Sequence, residues 1–235
     1  PMTALDPVYT IGAQITETVL RHKGGSRAAA HARALELLEL VKIPEAARRL
    51  DNYPHELSGG LRQRAMIAMA LSCGPRLLLA DEPTTALDAT VQIQVLILLR
   101  KLQAEMGMSV ILVTHDLGVA AQIADKIAVM YAGRIIEYGN ARDVLLNPSH
   151  PYTIGLLNST VHGQSRERDI EAIPGSPPDL RLRASGCSFR PRCKFATAPC
   201  GSELPPLLTT RSGTTVCCIN TSQPIHNVEV GEHVS

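Results

Sequence analysis

The 235 residues are enough for one sizeable domain with an appendage, or for a domain of two lobes. Apolar residues make up 45%, which permits a packed core, while aromatics are only 3% and Trp is absent, which argues against a stacking platform for single-stranded nucleic acid. The net charge of +1, with no Lys/Arg run, lacks the basic footprint of a nucleic-acid binder, and no apolar run approaches the ~18 residues of a membrane span. The N-terminus has no basic-then-apolar secretory pattern, so the expected location is the cytoplasm, with any membrane association made through a partner.

Residues 8–74 read as helical. Ile11, Ile15 and Val19 fall four apart on one stripe. Ser26 is a plausible N-cap for a second helix with Ala34, Leu35, Leu38 and Val41 inward, stopped by Pro44. A third helix is expected from Ser58 to Ser72, with Gly74-Pro75 as breaker. Leu77 to Ala80 is a short apolar run ending in two acids, the pattern of a buried parallel strand. A long helix follows from about Thr90 to Met106, with Gly107 as C-cap, and Ser109–Thr114 is the next buried strand. Strand, helix, strand at this spacing predicts a right-handed βαβ unit. A short helix over Val119–Ala124 and strands over Ile127–Tyr131 and Arg134–Tyr138, turning at Ala132-Gly133, complete the regular part. Residues 163–186 read as a linker or irregular wrap, and five of the six cysteines follow it.

Three clusters carry chemistry. In Leu57-Ser58-Gly59-Gly60-Leu61-Arg62-Gln63-Arg64, a Ser and two glycines opening a helix present backbone N–H groups at the positive end of its dipole, an anion site. The same residues also read as an ordinary N-cap and turn. In LLLADEPTTALD, over Leu77–Asp88, Asp81 at a strand end can hold Mg²⁺ through water, and Glu82 is placed to polarise an attacking water. Adjacent carboxylates after four apolar residues repel one another unless they share a cation or a proton. His115, just past the next strand, belongs beside them, because ligands of parallel sheets bind beyond the strands' carboxyl ends; there it could contact a γ-phosphate.

Together these motifs resemble the ABC ATPase family: LSGG its signature, LLLADE its Walker B strand and glutamate, Ala86–Asp88 its D-loop, His115 its switch histidine. The resemblance implies an α/β, P-loop NTPase fold in partial form. A helical signature subdomain (1–74) would be joined to the C-terminal half of a RecA-like parallel-sheet core (75–147) and a Cys-containing extension (148–235). It implies ATP and Mg²⁺ as ligands. Glu82 and His115 would be catalytic, Asp81 would hold Mg²⁺, Ser58, Gly59, Gly60 and Gln63 would meet the ATP of a partner subunit, and Asp88 would belong to the D-loop. Pro1–Pro7, LSGGLRQR and NPSHPYT (147–153) further resemble the ATPases of oligopeptide/dipeptide, nickel and glutathione importers. The implied partners are a second ABC ATPase subunit, as homo- or heterodimer, transmembrane permease subunits and, indirectly, a solute-binding protein, at the cytoplasmic face of the membrane and without nucleic acid.

Cys187, Cys193, Cys200 and Cys218 resemble the cysteine motif of similar tails, which implies a [4Fe–4S] cluster; four thiolates also suit zinc. Reduced cysteines packing a short hydrophobic tail are the alternative. Cys73 reads as core.

No GxxxxGK[ST] occurs in these residues, and the adenine-stacking aromatic and Q-loop Gln that the resemblance leads one to expect would precede Pro1. The sequence therefore reads as the C-terminal two thirds of a longer subunit. A non-catalytic remnant is the alternative. A soluble ABC ATPase acting on DNA or ribosomes would need a coiled-coil insertion or second cassette that is missing here.

Overall fold

The computed structural model describes residues 4–85, 87–159, 172–181 and 185–220. It divides into two compact units, Pro1–His115 and Asp116–Ser235.

The first unit begins with helices α1 (Ile11–Lys23) and α2 (Arg27–Leu40), the short α3 (Ala46–Arg49) and α4 (Gly59–Leu71). The stripe Ile11, Ile15, Val19 is buried, and so are Ala34, Leu38 and Val41 of the second stripe. Ser26 Oγ accepts from Ala29 N at 3.2 Å, the expected N-cap bond. Helix α2 stops at Leu40, ahead of Pro44, and α3 was not foreseen: Glu45 enters the left-handed region (φ 53°) and restarts the chain into one further turn. Strand β1 (Leu77–Asp81), helix α5 (Ala89–Met106) and strand β2 (Ser109–Val113) follow, and Gly107 closes α5 in the left-handed conformation expected of it. β1 and β2 pair in parallel, Leu77 opposite Ser109 through Asp81 opposite Val113.

The expectation of fully buried strands is corrected. Leu78 reaches the helical core, but Leu79 is 69% exposed, and Leu77, Ile111 and Val113 are exposed as well. The helices of this unit cover one face of the two-stranded ribbon, and among the unit's own described residues nothing covers the other. Cys73 is half-buried beside Met66 and Met69, not sealed in the core.

The second unit holds α6 (Leu117–Ile123), β3 (Lys126–Tyr131), β4 (Arg134–Asn140), α7 (Ala141–Leu146) and α8 (Pro151–Asn158), then β5 (Leu208–Thr209) and β6 (Thr215–Val216). β3 and β4 form the expected hairpin, with Ala132 (φ 50°) and Gly133 (φ 77°) both left-handed, as a two-residue turn matching strand twist requires. The sheet order is β3-β4-β6-β5, so the distant tail returns to pair with β4. Residues 172–181 carry neither helix nor strand; the rest of the expected wrap over 163–186 lies partly outside the described residues. No described helix is long and apolar enough to cross a membrane.

Candidate functional site

Glu82 follows β1 directly. Its N–H donates to Val113 O at 2.9 Å, continuing the β1–β2 ladder one step beyond the strands. Its φ of 44° then turns the chain, a left-handed conformation that a non-glycine residue holds only at a cost of about 1–3 kcal/mol. The turn sends the carboxylate toward the residues leaving β2. His115 Nδ1 lies 2.9 Å from Glu82 Oε1, and Thr85 Oγ1 donates to Glu82 Oε2 at 2.8 Å. His115 and then Thr85 hold the Glu82 carboxyl below its usual range. Asp81, the last residue of β1, is exposed beside it. The two ends of the parallel pair thus bring together a carboxylate of lowered pKa and an imidazole, with the exposed Asp81 adjacent in the chain.

Ser58 caps α4, its Oγ accepting from Leu61 N at a long 3.4 Å. The N-cap reading of this segment is the one the geometry shows, at the start of a 13-residue helix. The glycines also permit close packing. A Cβ on Gly59 would meet Leu87 at 3.3 Å, and one on Gly60 would meet Val91 Cγ1 at 2.6 Å. Gln63 is buried, facing the interior of the unit. Asp88 caps α5, its Oδ1 accepting from Thr90 N at 3.1 Å and Val91 N at 3.0 Å; Ala86, the first D-loop residue, lies outside the described residues. Sequence reading missed Arg64, whose guanidinium donates to Val41 O at 3.1 Å and Gln94 Oε1 at 3.4 Å and so ties α4 to its neighbours.

In the second unit the thiols of Cys187, Cys193, Cys200 and Cys218 line one small pocket. Cys217 turns away, donating to Pro205 O at 3.0 Å. Burial, followed by the nearby thiols, pushes Cys218 up to about 11, and burial likewise raises Cys193. Burial acts upward on Cys200 too, but hydrogen bonds from Thr197, its own backbone N–H and the Arg190 charge together outweigh it, and the net shift is down. Among the described residues, no three His, Cys, Asp or Glu side chains stand close enough to grip a metal ion as they are.

His150, noted in the sequence only as part of NPSHPYT and given no role there, lines the same pocket and is 1% exposed. Glu137, also buried, accepts from Ser149 N at 2.6 Å and His150 N at 3.0 Å. Burial raises the Glu137 carboxyl against the Thr153 hydroxyl and these two backbone bonds, and burial lowers His150 to about 4. The signal in sequence was a Glu following Ile135-Ile136 in the middle of a strand, thirteen residues before a His-Pro step.

With this geometry in hand, comparison with known proteins is specific. Residues 3–85 match the family described as ABC transporter, and residues 136–200 match the oligopeptide/dipeptide transporter C-terminal region. The chain is 53% identical over 207 residues to the oligopeptide transport ATP-binding protein OppD of Salmonella typhimurium, covering 88% of this chain and 62% of that protein. It is 49% identical over 227 residues to a Sinorhizobium fredii protein named "Probable peptide ABC transporter ATP-binding protein y4tR", covering 96% of this chain and 68% of that one. It spans less than two thirds of the OppD relatives' length. Among solved structures it is similar to the dimeric ATP-binding cassette MJ0796 in a post-hydrolysis state with ADP and Pi: TM-score 0.52, 34% identity, 59% of this chain and 60% of that one. Its fold is therefore an ABC ATPase fold in partial form, and the chain belongs to the ABC transporter ATP-binding protein family, in the oligopeptide/dipeptide branch.

Proposed function

We propose that these residues are the signature-to-switch portion of the ATP-hydrolysing subunit of an importer for peptides or similar small solutes. The Glu82–His115 pair, at the carboxyl ends of two parallel strands in a chain of this family, is the observation that carries the reading. Glu82 accepts a proton from the attacking water as the new P–O bond forms and the bond to the bridging oxygen of ADP breaks. His115 hydrogen-bonds the γ-phosphoryl oxygens. Asp81, exposed at the strand end, would hold Mg²⁺, and the ion would supply neutralising charge at the phosphates. Ser58, Gly59 and Gly60 close over the ATP of a second ATPase subunit, identical or homologous; Gln63 supports that helix from within, and Asp88 orders the D-loop. The functional division 1–74, 75–147 and 148–235 stands alongside the two structural units.

Permease subunits receive the motion, and a solute-binding protein delivers the solute. The subunit is peripheral, at the cytoplasmic face of the membrane. Reconstituting the full-length gene product with its permease partners in proteoliposomes tests this. ATP-dependent uptake of labelled peptide is expected; failure to take up any peptide with ATP present would overturn the reading.

For the tail we propose that Cys187, Cys193, Cys200 and Cys218 hold a [4Fe–4S] cluster, with zinc as the competing occupant. A pocket of four thiols without a carboxylate fits a soft metal, and the thiols that raise one another's proton affinity would be relieved by a cation. Loading would draw the four sulfurs closer than they stand. When bound, the cluster supplies a cross-link among the chain segments that carry its ligands. Iron, sulfide and zinc analysis of anaerobically purified protein decides between the occupants.

A further inference from the structure

His150 is buried at the edge of the cysteine pocket with one polar atom unused. Its Nδ1 accepts from Tyr152 N at 3.0 Å, so the ring proton of the neutral tautomer sits on Nε2. That Nε2 is sealed from solvent and has no acceptor among the described residues. An N–H in this position is costly unless something accepts from it. The ring is held rather than loose: the Glu137 carboxylate fixes the main chain at Ser149 and His150, and Phe189, between Cys187 and Cys193 in sequence, packs against the imidazole at 5.9 Å between centroids. The pocket is also lined by the four thiols, by Arg190 and by Asn220, whose N–H donates to Cys218 Sγ at 3.3 Å; among these polar groups the buried Nε2 of His150 is the one without a partner among the described residues.

We propose that His150 is a positioning residue for the metal centre, its Nε2–H donating to a sulfur of the cluster that the four cysteines hold. This deepens the cluster reading above and rests on it. Hydrogen bonds to cluster sulfurs stabilise the added negative charge of the reduced state and so raise the reduction potential. A neutral, buried donor does this without introducing a charge. The Ser149 hydroxyl beside it is buried and without a partner as well, but of the two only His150 lines the pocket.

The test uses the anaerobically purified full-length gene product, reconstituted with iron and sulfide where needed, as wild type, His150→Phe and His150→Gln. Midpoint potential is read by redox titration of the visible or EPR signal, and cluster retention by loss of the visible absorbance in the presence of a chelator. The expected result is a lower potential and about 10- to 100-fold weaker retention in His150→Phe, with partial rescue in His150→Gln, which keeps an N–H donor. A second measurement needs no substitution: pulsed EPR of the reduced wild type labelled with ¹⁵N-histidine should show a weakly coupled nitrogen. Should the wild type take up zinc alone or no metal, the cluster reading fails and the donor role with it. An iron–sulfur cluster that forms in the wild type with no ¹⁵N coupling, or whose potential and retention are unchanged in a folded His150→Phe, overturns the donor role alone.

Discussion

Glu82 Oε1 and His115 Nδ1 stand 2.9 Å apart, joining the residue after β1 to the second residue after β2. Parallel register makes this meeting possible, because Asp81 pairs with Val113 and both strands end at the same level. The imidazole and the Thr85 hydroxyl together occupy both carboxylate oxygens. In this arrangement Glu82 is oriented, and its pKa is held below the ordinary carboxylate value.

Removing the imidazole separates these effects. In the full-length subunit, His115→Ala is expected to lower ATP turnover by about 100-fold or more, as loss of a transition-state donor does. The working form of Glu82 is its carboxylate, and His115 holds its pKa below the ordinary 4.5. The acid limb of the pH–rate profile therefore lies below that value in the wild type and moves up toward it in the variant. A limb at the same pH in both proteins would show that the pair does not operate during turnover.

Gly60 is tied to Val91 by contact distance. Gly60→Ala places a methyl where Val91 Cγ1 already lies, 2.6 Å away, and valine is stiff about χ1. The expected loss is about 1–3 kcal/mol of stability in urea denaturation. Adding Val91→Ala should recover most of it, since the paired change removes the clash; independent, additive losses would place the strain elsewhere.

At Asp88, a capping role and a D-loop role are separable. Asp88→Ala should cost about 1 kcal/mol from the lost bonds to Thr90 N and Val91 N, while Asp88→Asn keeps an acceptor and most of that stability. If the side chain also acts across the dimer, Asp88→Asn loses turnover at near-native melting temperature. Turnover and stability falling strictly in parallel would leave capping as its whole function.

Glu137 gives the second unit a pH signature. Its folded pKa is raised above the ordinary 4.5 by burial, so the folded state holds this proton more tightly than the unfolded chain does. That contribution is fully present below the unfolded value and is lost as pH rises through the folded one. Glu137→Gln removes the titration. The melting temperature of the wild type relative to this variant should fall as pH rises above the ordinary 4.5; a rise instead would mean the carboxyl is depressed.

The chemistry-bearing core of the first unit was legible in the sequence because it rests on local signals. The Ile11-Ile15-Val19 stripe, the Ser26 and Gly107 caps and the apolar run into Asp81 each depend on residues a few positions apart. Short elements were not: α3 follows from a left-handed Glu45, which no periodicity announces, and β5 and β6 are two residues each, created by a tail that pairs with β4 across some 80 positions. The exposed face of Leu79 and Val113 was misread because apolar composition reports what a strand can bury, not what is there to cover it. His150 escaped notice for a related reason. Its isolation in sequence says nothing of the four thiols that the tail folds around it.

The central claim is that Glu82 performs the proton transfer of ATP hydrolysis. The most direct measurement is single-turnover ATP cleavage, alongside ATP binding, for the full-length subunit as wild type and as Glu82→Gln. Cleavage slowed by about 100-fold or more, with ATP affinity held within about twofold, is the predicted result. Cleavage by the variant at the wild-type rate would contradict it.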